Sequence, residues 1–512
     1  MLLKYMAKKS ITKNYIYNMV YQVLILILPL ITTPYLSRVL GAEGIGIYSY
    51  TYAIVTYFIL FGSLGVALYG QREIAYAQDN PSKRKQIFLE IAIFRIITIS
   101  IATVFYYFLF VNGKEYQLYY KILILELMAA AFDISWFFQG IEEFKKTVTR
   151  NVLVRICSVS LVFILVKNSE DLAKFTLIYS IADLIGNLSL WIYLPKYLKG
   201  IKVTNLNIKR HLPHIVMLFI PQIANQIYNI LDTTMIGWLV DDKSETGFYE
   251  QGHKVIRLLL TVVNSLGVVM IPRMANAFAN NDKKQIHSYM RMSFNFTFFL
   301  SFPIMFGIIS ISKEFVPIFF GEGYDKVNYI IYVLSPMILL MGIANVLGTQ
   351  YLLPTKRQKE YTSSVTIGLI INFILNYILI NLYHSIGAAI ATVISQLIVD
   401  SLQYRHVKDE ISLKSLFKMA SKYLFSAIIM FIMCFMVRLM LSTNIITQAI
   451  YNLANNLNMS TLYVFNILSI FIQILAGVIT YIGILIGIKD PYIFSFINKI
   501  KNRFLKRKIV NE

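Results

Sequence analysis

The chain has 512 residues, of which 57% are hydrophobic and only 15% charged, and its mean hydropathy is +0.61. Soluble globular domains hold about 45–50% apolar and about 25% charged residues, so this composition excludes a set of soluble domains and calls for one large helical bundle in lipid. The net charge of +21 sits in short loops between apolar runs and comes with no nucleic-acid-binding motif, so it reads as membrane topology and excludes a nucleic-acid surface.

A hydrocarbon core about 30 Å thick is crossed by about 20 helical residues. In chain order, such runs are predicted at 15–36, 45–68, 87–111, 119–138, 147–166, 174–194, 214–240, 254–272, 290–311, 327–348, 361–382, 387–404, 423–440 and 462–488, about fourteen in all. The first run is too long for the apolar core of a cleavable leader and lacks a small-residue cleavage site, so it is predicted to stay as a span. With the N-terminus inside, roughly 35 of the 48 basic residues fall on the inner side and about 11 outside. The inner set includes Lys196, Lys199, Lys202, Lys209 and Arg210 of the central loop and Lys499, Lys501, Arg503, Lys506, Arg507 and Lys508 of the tail. The outer loops carry Glu43, Asp241, Asp242, Glu245, Glu322 and Asp325. An even number of spans then puts both termini on the cytoplasmic side.

The chain repeats itself. The segment TTPYLSRVLGAEGIGIY ends at Tyr48 and TTMIGWLVDDKSETGFY ends at Tyr249; an offset of 201 relates Thr32 to Thr233, Thr33 to Thr234, Gly46 to Gly247 and Tyr48 to Tyr249. The tetrapeptide SLGV follows in both copies, at Ser63–Val66 and Ser265–Val268, and then basic residues ending in KQI. Such an offset encloses six spans, an even number, so the copies share one orientation and a pseudo-twofold axis along the membrane normal is expected. The expected layout is all-α: a six-span lobe over 1–199, a second over 200–410, and two further spans with a basic cytoplasmic tail over 411–512.

Polar residues inside spans usually face protein or water. The seventh span carries Gln222, Asn225, Gln226, Asn229 and Asp232 at spacings of three and four, one helix face; the first span carries Asn14, Asn18 and Gln22 likewise. Matching stripes predict one shared polar cavity, with interhelical hydrogen bonding as the alternative. Pro29 and Pro221 are candidate hinges. Arg95 and Arg155 lie mid-span near Glu126, Asp133 and Asp183. Two readings stand: buried ion pairs within the first lobe, or a cationic pocket for an anionic ligand. Arg38 and Arg257, like Arg72 and Arg273, lie near span ends and are either interfacial or basic gates suited to phosphate. Asp183 and Asp232 are the candidate sites for a coupling cation. Tyr48, Tyr52 and Thr56 share a face suited to sugar stacking or to an interfacial belt.

Cys157 and Cys434 read as apolar fillers. There is no phosphate-binding G-x-x-x-x-G-K-[ST] loop, no H-E-x-x-H, no cluster of the six histidines and no Ser/His/Asp set. These absences imply a transporter without enzyme activity, cofactor or metal, driven by an ion gradient, the membrane potential or the substrate gradient.

The stretch NYIYNMVYQVLILILPLITTPYLSRVLGAEGIGIYSYTYAI, followed by SLGVALYGQREIA, resembles the polysaccharide-export flippases, the Wzx-type carriers of O-antigen and capsule repeat units. Pro-Tyr-Leu-Ser-Arg-Val-Leu-Gly followed by Gly-Ile-Tyr carries most of the resemblance. The span layout is also similar to the wider multidrug/oligosaccharidyl-lipid/polysaccharide exporter superfamily. The resemblance implies a bacterial inner-membrane protein that moves undecaprenyl-diphosphate-linked oligosaccharide from the inner to the outer leaflet. Its alternatives within the same fold are a cation-coupled multidrug antiporter and a lipid II or teichoic-acid precursor flippase. The implied partners are that lipid-linked substrate and membrane lipid, with polysaccharide polymerase and glycosyltransferases as candidate enzymes and H+ or Na+ as candidate coupling ions. Family members are thought to hold the anionic headgroup with cavity arginines. Only Arg38 falls in the matched motif; Arg95, Arg155 and Arg257 are added here from burial and charge.

Overall fold

The computed structural model describes residues 2–113, 115–199, 206–456 and 459–494; the side chains of Asn18, Gln22, Gln222 and Asn225, together with Lys202 and the basic tail, lie outside the described residues. Every regular element among the described residues is a helix. Among the described residues ten helices are long and apolar enough to cross a membrane, or eleven when the bent pair Ser244–Asn264 and Gly267–Ala279 is taken as one span. The predicted run 214–240, helix Leu212–Leu239 with several side chains outside the described residues, is not among the helices counted. Another part of the difference from fourteen predicted runs has a local cause. Ile27–Tyr76 and Gln358–Val407 are 50 residues each and hold two predicted spans apiece. Their backbones leave the helical region at Gly41 (φ 71°) and at His384 (φ 52°), between the predicted spans.

The chain divides into two compact units, residues 1–250 and 251–512. In the first, α1 (Leu2–Ser63) is followed by α2 (Val66–Tyr76), α3 (Pro81–Tyr106), α4 (Gln117–Ile122), α5 (Ile124–Ala131), α6 (Ser135–Gly140), α7 (Phe144–Leu165), α8 (Leu172–Trp191), α9 (Pro195–Leu198) and α10 (Leu212–Leu239). Helix α11 (Ser244–Asn264) runs through the division. The second unit continues with α12 (Gly267–Ala279), α13 (Lys283–Phe319), α14 (Asp325–Leu334), α15 (Met337–Ala344), a π-helical segment (Asn345–Leu352), α16 (Gln358–Val407), α17 (Leu413–Leu441), α18 (Asn444–Asn456) and α19 (Thr461–Gly487).

Local chemistry explains the boundaries. The Asn80 side chain accepts from Lys83 N and Pro81 opens α3, so a free N–H is capped and a ring sits where no N–H is needed. Asp282, Ser412 and Ser460 cap α13, α17 and α19 in the same way. Both SLGV copies break a helix at the same place: Leu64 and Gly65 have positive φ between α1 and α2, and the 44° bend falls between Asn264 and Gly267. The two breaks fall in the same motif with different conformations, since Leu266 keeps right-handed helical angles (φ −67°) and Gly267 opens α12.

The last two long helices, α17 and α19, pack on α13 in the second unit. Tyr481 donates to Phe299 O at 2.9 Å, Lys422 pairs with Asp490, and Gly477 leaves room for Cys434 and Met430. Between them, α18 buries Ile450 and Ala454 and leaves Ile445 85% exposed, an amphipathic helix that falls between two predicted spans.

Candidate functional site

Three side-chain clusters and one exposed polar face hold the candidates in the first unit. The first cluster closes a broken span. Helix α5 stops at Ala131 and α6 starts at Ser135, which leaves carbonyls without helical partners at membrane depth. Side chains supply the donors: Arg95 Nε to Ala130 O at 2.7 Å, Asn187 Nδ2 to Ala129 O at 2.8 Å and Trp191 Nε1 to Phe132 O at 2.8 Å. Arg95 thus places its charge at the negative end of α5. Its Nη2 also reaches Asp133 Oδ2 at 3.4 Å. Asp133 Oδ1 accepts from the backbone N and the hydroxyl of Ser135, at the start of α6. Arg150 completes the network, donating to Ser135 Oγ and Asn187 Oδ1 at 2.7 Å each. Arg95 is 5% exposed, and this geometry is the buried ion pair of the two readings in the sequence.

The second cluster gathers the other mid-span charges. Arg155 of α7 is half-buried, with its guanidinium 5.9 Å from the Tyr179 ring centre, and it acts electrostatically on Glu126 of α5 and Asp183 of α8. Tyr48 and Tyr52 stack beside these groups at 5.5 Å, and Phe175 closes edge-on against Tyr48. Unlike Arg95, Arg155 is not folded into a helix break.

The third cluster fastens the segment before α10. Glu90, fully buried in α3, accepts from Asn207 N at 2.7 Å, Arg210 Nη2 at 2.5 Å, His211 Nε2 at 2.7 Å and Gln86 Nε2 at 3.0 Å. His211 Nδ1 in turn accepts from the Tyr69 hydroxyl at 2.8 Å, which one neutral tautomer satisfies together with Glu90.

Helix α10 shows two exposed faces. Gln226 and Asn229 are exposed, as are Met217 and Trp238, and at 100° per residue the two pairs lie on roughly opposite sides of the helix. Met217 and Trp238 suit lipid. An amide at that depth does not, so the Gln226–Asn229 face is suited to water. Further along, Asp232 is buried and accepts the hydroxyl of Tyr249. Arg38 is exposed and returns a hydrogen bond to Pro34 O at 3.0 Å; Arg257 is exposed on α11.

The family model described as "Polysaccharide biosynthesis protein" matches residues 11–278, more than half of the chain. The chain belongs to that family. A second model, MatE, matches residues 218–378. Among its relatives, a putative O-antigen transporter of Escherichia coli (strain K12) is 26% identical over 407 residues, covering 78% of this chain and 98% of its own. A probable low-salt glycan biosynthesis flippase of Haloferax volcanii is 24% identical over 305 residues, covering 59% of this chain and 63% of its own. Among solved structures, the lipid II flippase MurJ in an inward closed conformation superposes with a TM-score of 0.70 at 18% identity, over 93% of this chain and 99% of that one. An inward-facing multidrug transporter of the MATE family gives 0.56 at 11% identity, over 77% and 99%. The fold is that of these transporters, and this member of the family is a multi-pass membrane transporter, not an enzyme.

Several contributors escape a reading by spacing alone. Arg150, Ser135, Asn187 and Trp191 meet Arg95 only through the fold. Glu90 carried a signal, since it is a carboxylate inside the predicted third span; its partners Arg210 and His211 lie about 120 residues away.

Proposed function

We propose that the protein is a flippase that moves undecaprenyl-diphosphate-linked oligosaccharide repeat units from the inner to the outer leaflet by alternating access, for surface polysaccharide biosynthesis. The observation that carries this reading is the exposed amide face of α10, opposite its apolar face, on a helix long enough to span. A diphosphate and several sugars cannot enter hydrocarbon without hydrogen-bonding partners, and an exposed polar wall at that depth supplies them. The relatives named for O-antigen and glycan support the substrate class.

In this reading Arg155 and Arg38 hold the diphosphate, Gln226 and Asn229 line the passage, Arg257 on α11 is a separate candidate for an anionic group, and Arg95 stabilises the first lobe. Asp183 and Asp232 are the acids available to a coupling H+ or Na+. The lobes are 1–199 and 200–410, and the bias of basic loops puts both termini on the cytoplasmic side of the inner membrane. Polymerase and glycosyltransferases are the partner enzymes.

Deletion followed by analysis of lipid-linked sugars tests the reading. Repeat units accumulating on the cytoplasmic leaflet are expected. Normal surface polysaccharide with new drug sensitivity would instead identify a multidrug antiporter, and loss of cell-wall precursor supply a lipid II flippase.

A further inference from the structure

One acid at membrane depth belongs to none of the clusters above. Asp400 lies in the second arm of α16, 7% exposed. Its Oδ1 accepts from Gln396 Nε2 at 2.9 Å, one turn earlier. Among the described residues its Oδ2 has no hydrogen-bond partner. Three residues on, Gln403 is 1% exposed and its Oε1 also has no donor among the described residues. Residues three apart on a helix share a face, with Cβ atoms about 5–6 Å apart. Two buried acceptors without a donor therefore stand side by side.

The surroundings bring no compensating charge. Among the described residues no ionised side chain acts on Asp400, whose environment consists of burial and the Gln396 bond. The π-helical segment packs on this part of α16 and offers a backbone: a Cβ on Gly348 would come within 3.1 Å of Gln403 Oε1 and closer still to the Tyr361 ring. Beyond Gln403, Arg405 is exposed on the same helix, and Glu410, Arg357 and Asp409 act on Tyr351. Segments with π geometry are frequent at functional sites.

An unpaired carboxylate in this setting takes up a proton or a cation. A metal cation fits poorly, because Gln396 presents an N–H to the carboxylate, not an oxygen, and the described residues hold no cluster of metal ligands. We propose that Asp400 is a proton-binding site, in which the acid carries its hydrogen on Oδ2 and donates it to Gln403 Oε1 while Gln396 continues to donate to Oδ1. One proton fills both vacancies. Its use in transport, loading from one side and release to the other, rests on the flippase reading; the protonation itself does not.

Infrared spectroscopy of the full-length protein in lipid nanodiscs at neutral pH reads the site directly. A carboxylic-acid C=O band present in the wild type and lost in Asp400→Asn is the expected result, with the band moved to higher frequency in Gln403→Leu as its hydrogen bond disappears. Identical spectra for wild type and Asp400→Asn overturn the proposal, as does a sodium-dependent rise in melting temperature that Asp400→Asn removes. Should Asp400→Asn fail to accumulate, Asp400→Glu keeps the acid and must displace the band. In cells or vesicles, Asp400→Asn should abolish the dependence of export on an imposed pH gradient. Absence of export in the wild type would count against the flippase reading and leave the infrared result standing.

Discussion

Gly46 and Gly247 hold equivalent positions in the two copies of the repeat, and each lies against the backbone of the opposite copy. A Cβ on Gly46 would run into the carbonyl of Lys243, and one on Gly247 into the carbonyl of Ala42. Ala42 and Lys243 are themselves separated by the same 201 residues, so the contact is reciprocal. Lys243 makes the approach firm from its own side. Its buried Nζ donates to Gly237 O and Val240 O at the end of α10 and sits 5.5 Å from the Tyr50 ring centre.

Gly46→Val and Gly247→Val should each lower stability by about 1–3 kcal/mol, because the blocking atoms are backbone and cannot rotate away. Melting of the purified protein in detergent measures this. Gly483→Val, where a Cβ meets nothing within 4 Å, is the matched control and should leave the melting temperature unchanged.

Arg95→Ala should remove most of the folded protein from the membrane. It leaves Asp133 without its charge partner and takes the guanidinium bond from the Ala130 carbonyl, and breaking a buried pair costs about 3–5 kcal/mol. Arg95→Met combined with Asp133→Asn should recover part of that loss. Immunoblots of membrane fractions with a thermal melt decide it; an Arg95→Ala protein at normal level but without export would return Arg95 to the headgroup site.

Arg155→Ala should behave in the opposite way, with protein level retained and export reduced at least about tenfold, while Arg155→Lys keeps charge without bidentate geometry and is intermediate. Surface polysaccharide measured against protein level separates the two arginines.

The exposed face of α10 can be read by thiol labelling. In a Cys157→Ser background, which removes the exposed native thiol, Gln226→Cys and Asn229→Cys should react with a charged, membrane-impermeant reagent in at least one orientation of the protein. Met217→Cys, on the far side, should not. Equal protection of all three positions would mean that the amide face is dry.

Much of this architecture is readable from composition and offset, and the reasons are physical. Apolar runs long enough to span had to become helices, and SLGV marked both helix breaks; in the first copy its glycine, Gly65, takes the left-handed backbone that the break needs. The number of separate helices was less legible, since Gly41 and His384 turn the chain without interrupting its hydrogen-bonded run enough to part the spans. The acids near Arg95 were visible, but spacing could not choose Asp133 over Glu126; the choice follows from the break at residues 132–134, whose carbonyls need donors. Asp400 sits inside a predicted span and passes as one polar residue among many until its missing partner is seen. Helix α18, at 13 residues, is too short and too polar to read as a span.

Glu90 gives the chain an order of assembly. Its carboxylate lies in the third predicted span, yet the donors from Asn207, Arg210 and His211 are translated more than a hundred residues later. While the ribosome is still making the intervening helices, that acid is in the bilayer without them, since N-terminal parts fold first during synthesis. A fragment ending at residue 199 should therefore be cleared by membrane proteases, whereas one extended through His214 should persist, so a split version of this protein has its workable cut after the donors and not at the midpoint between the repeats.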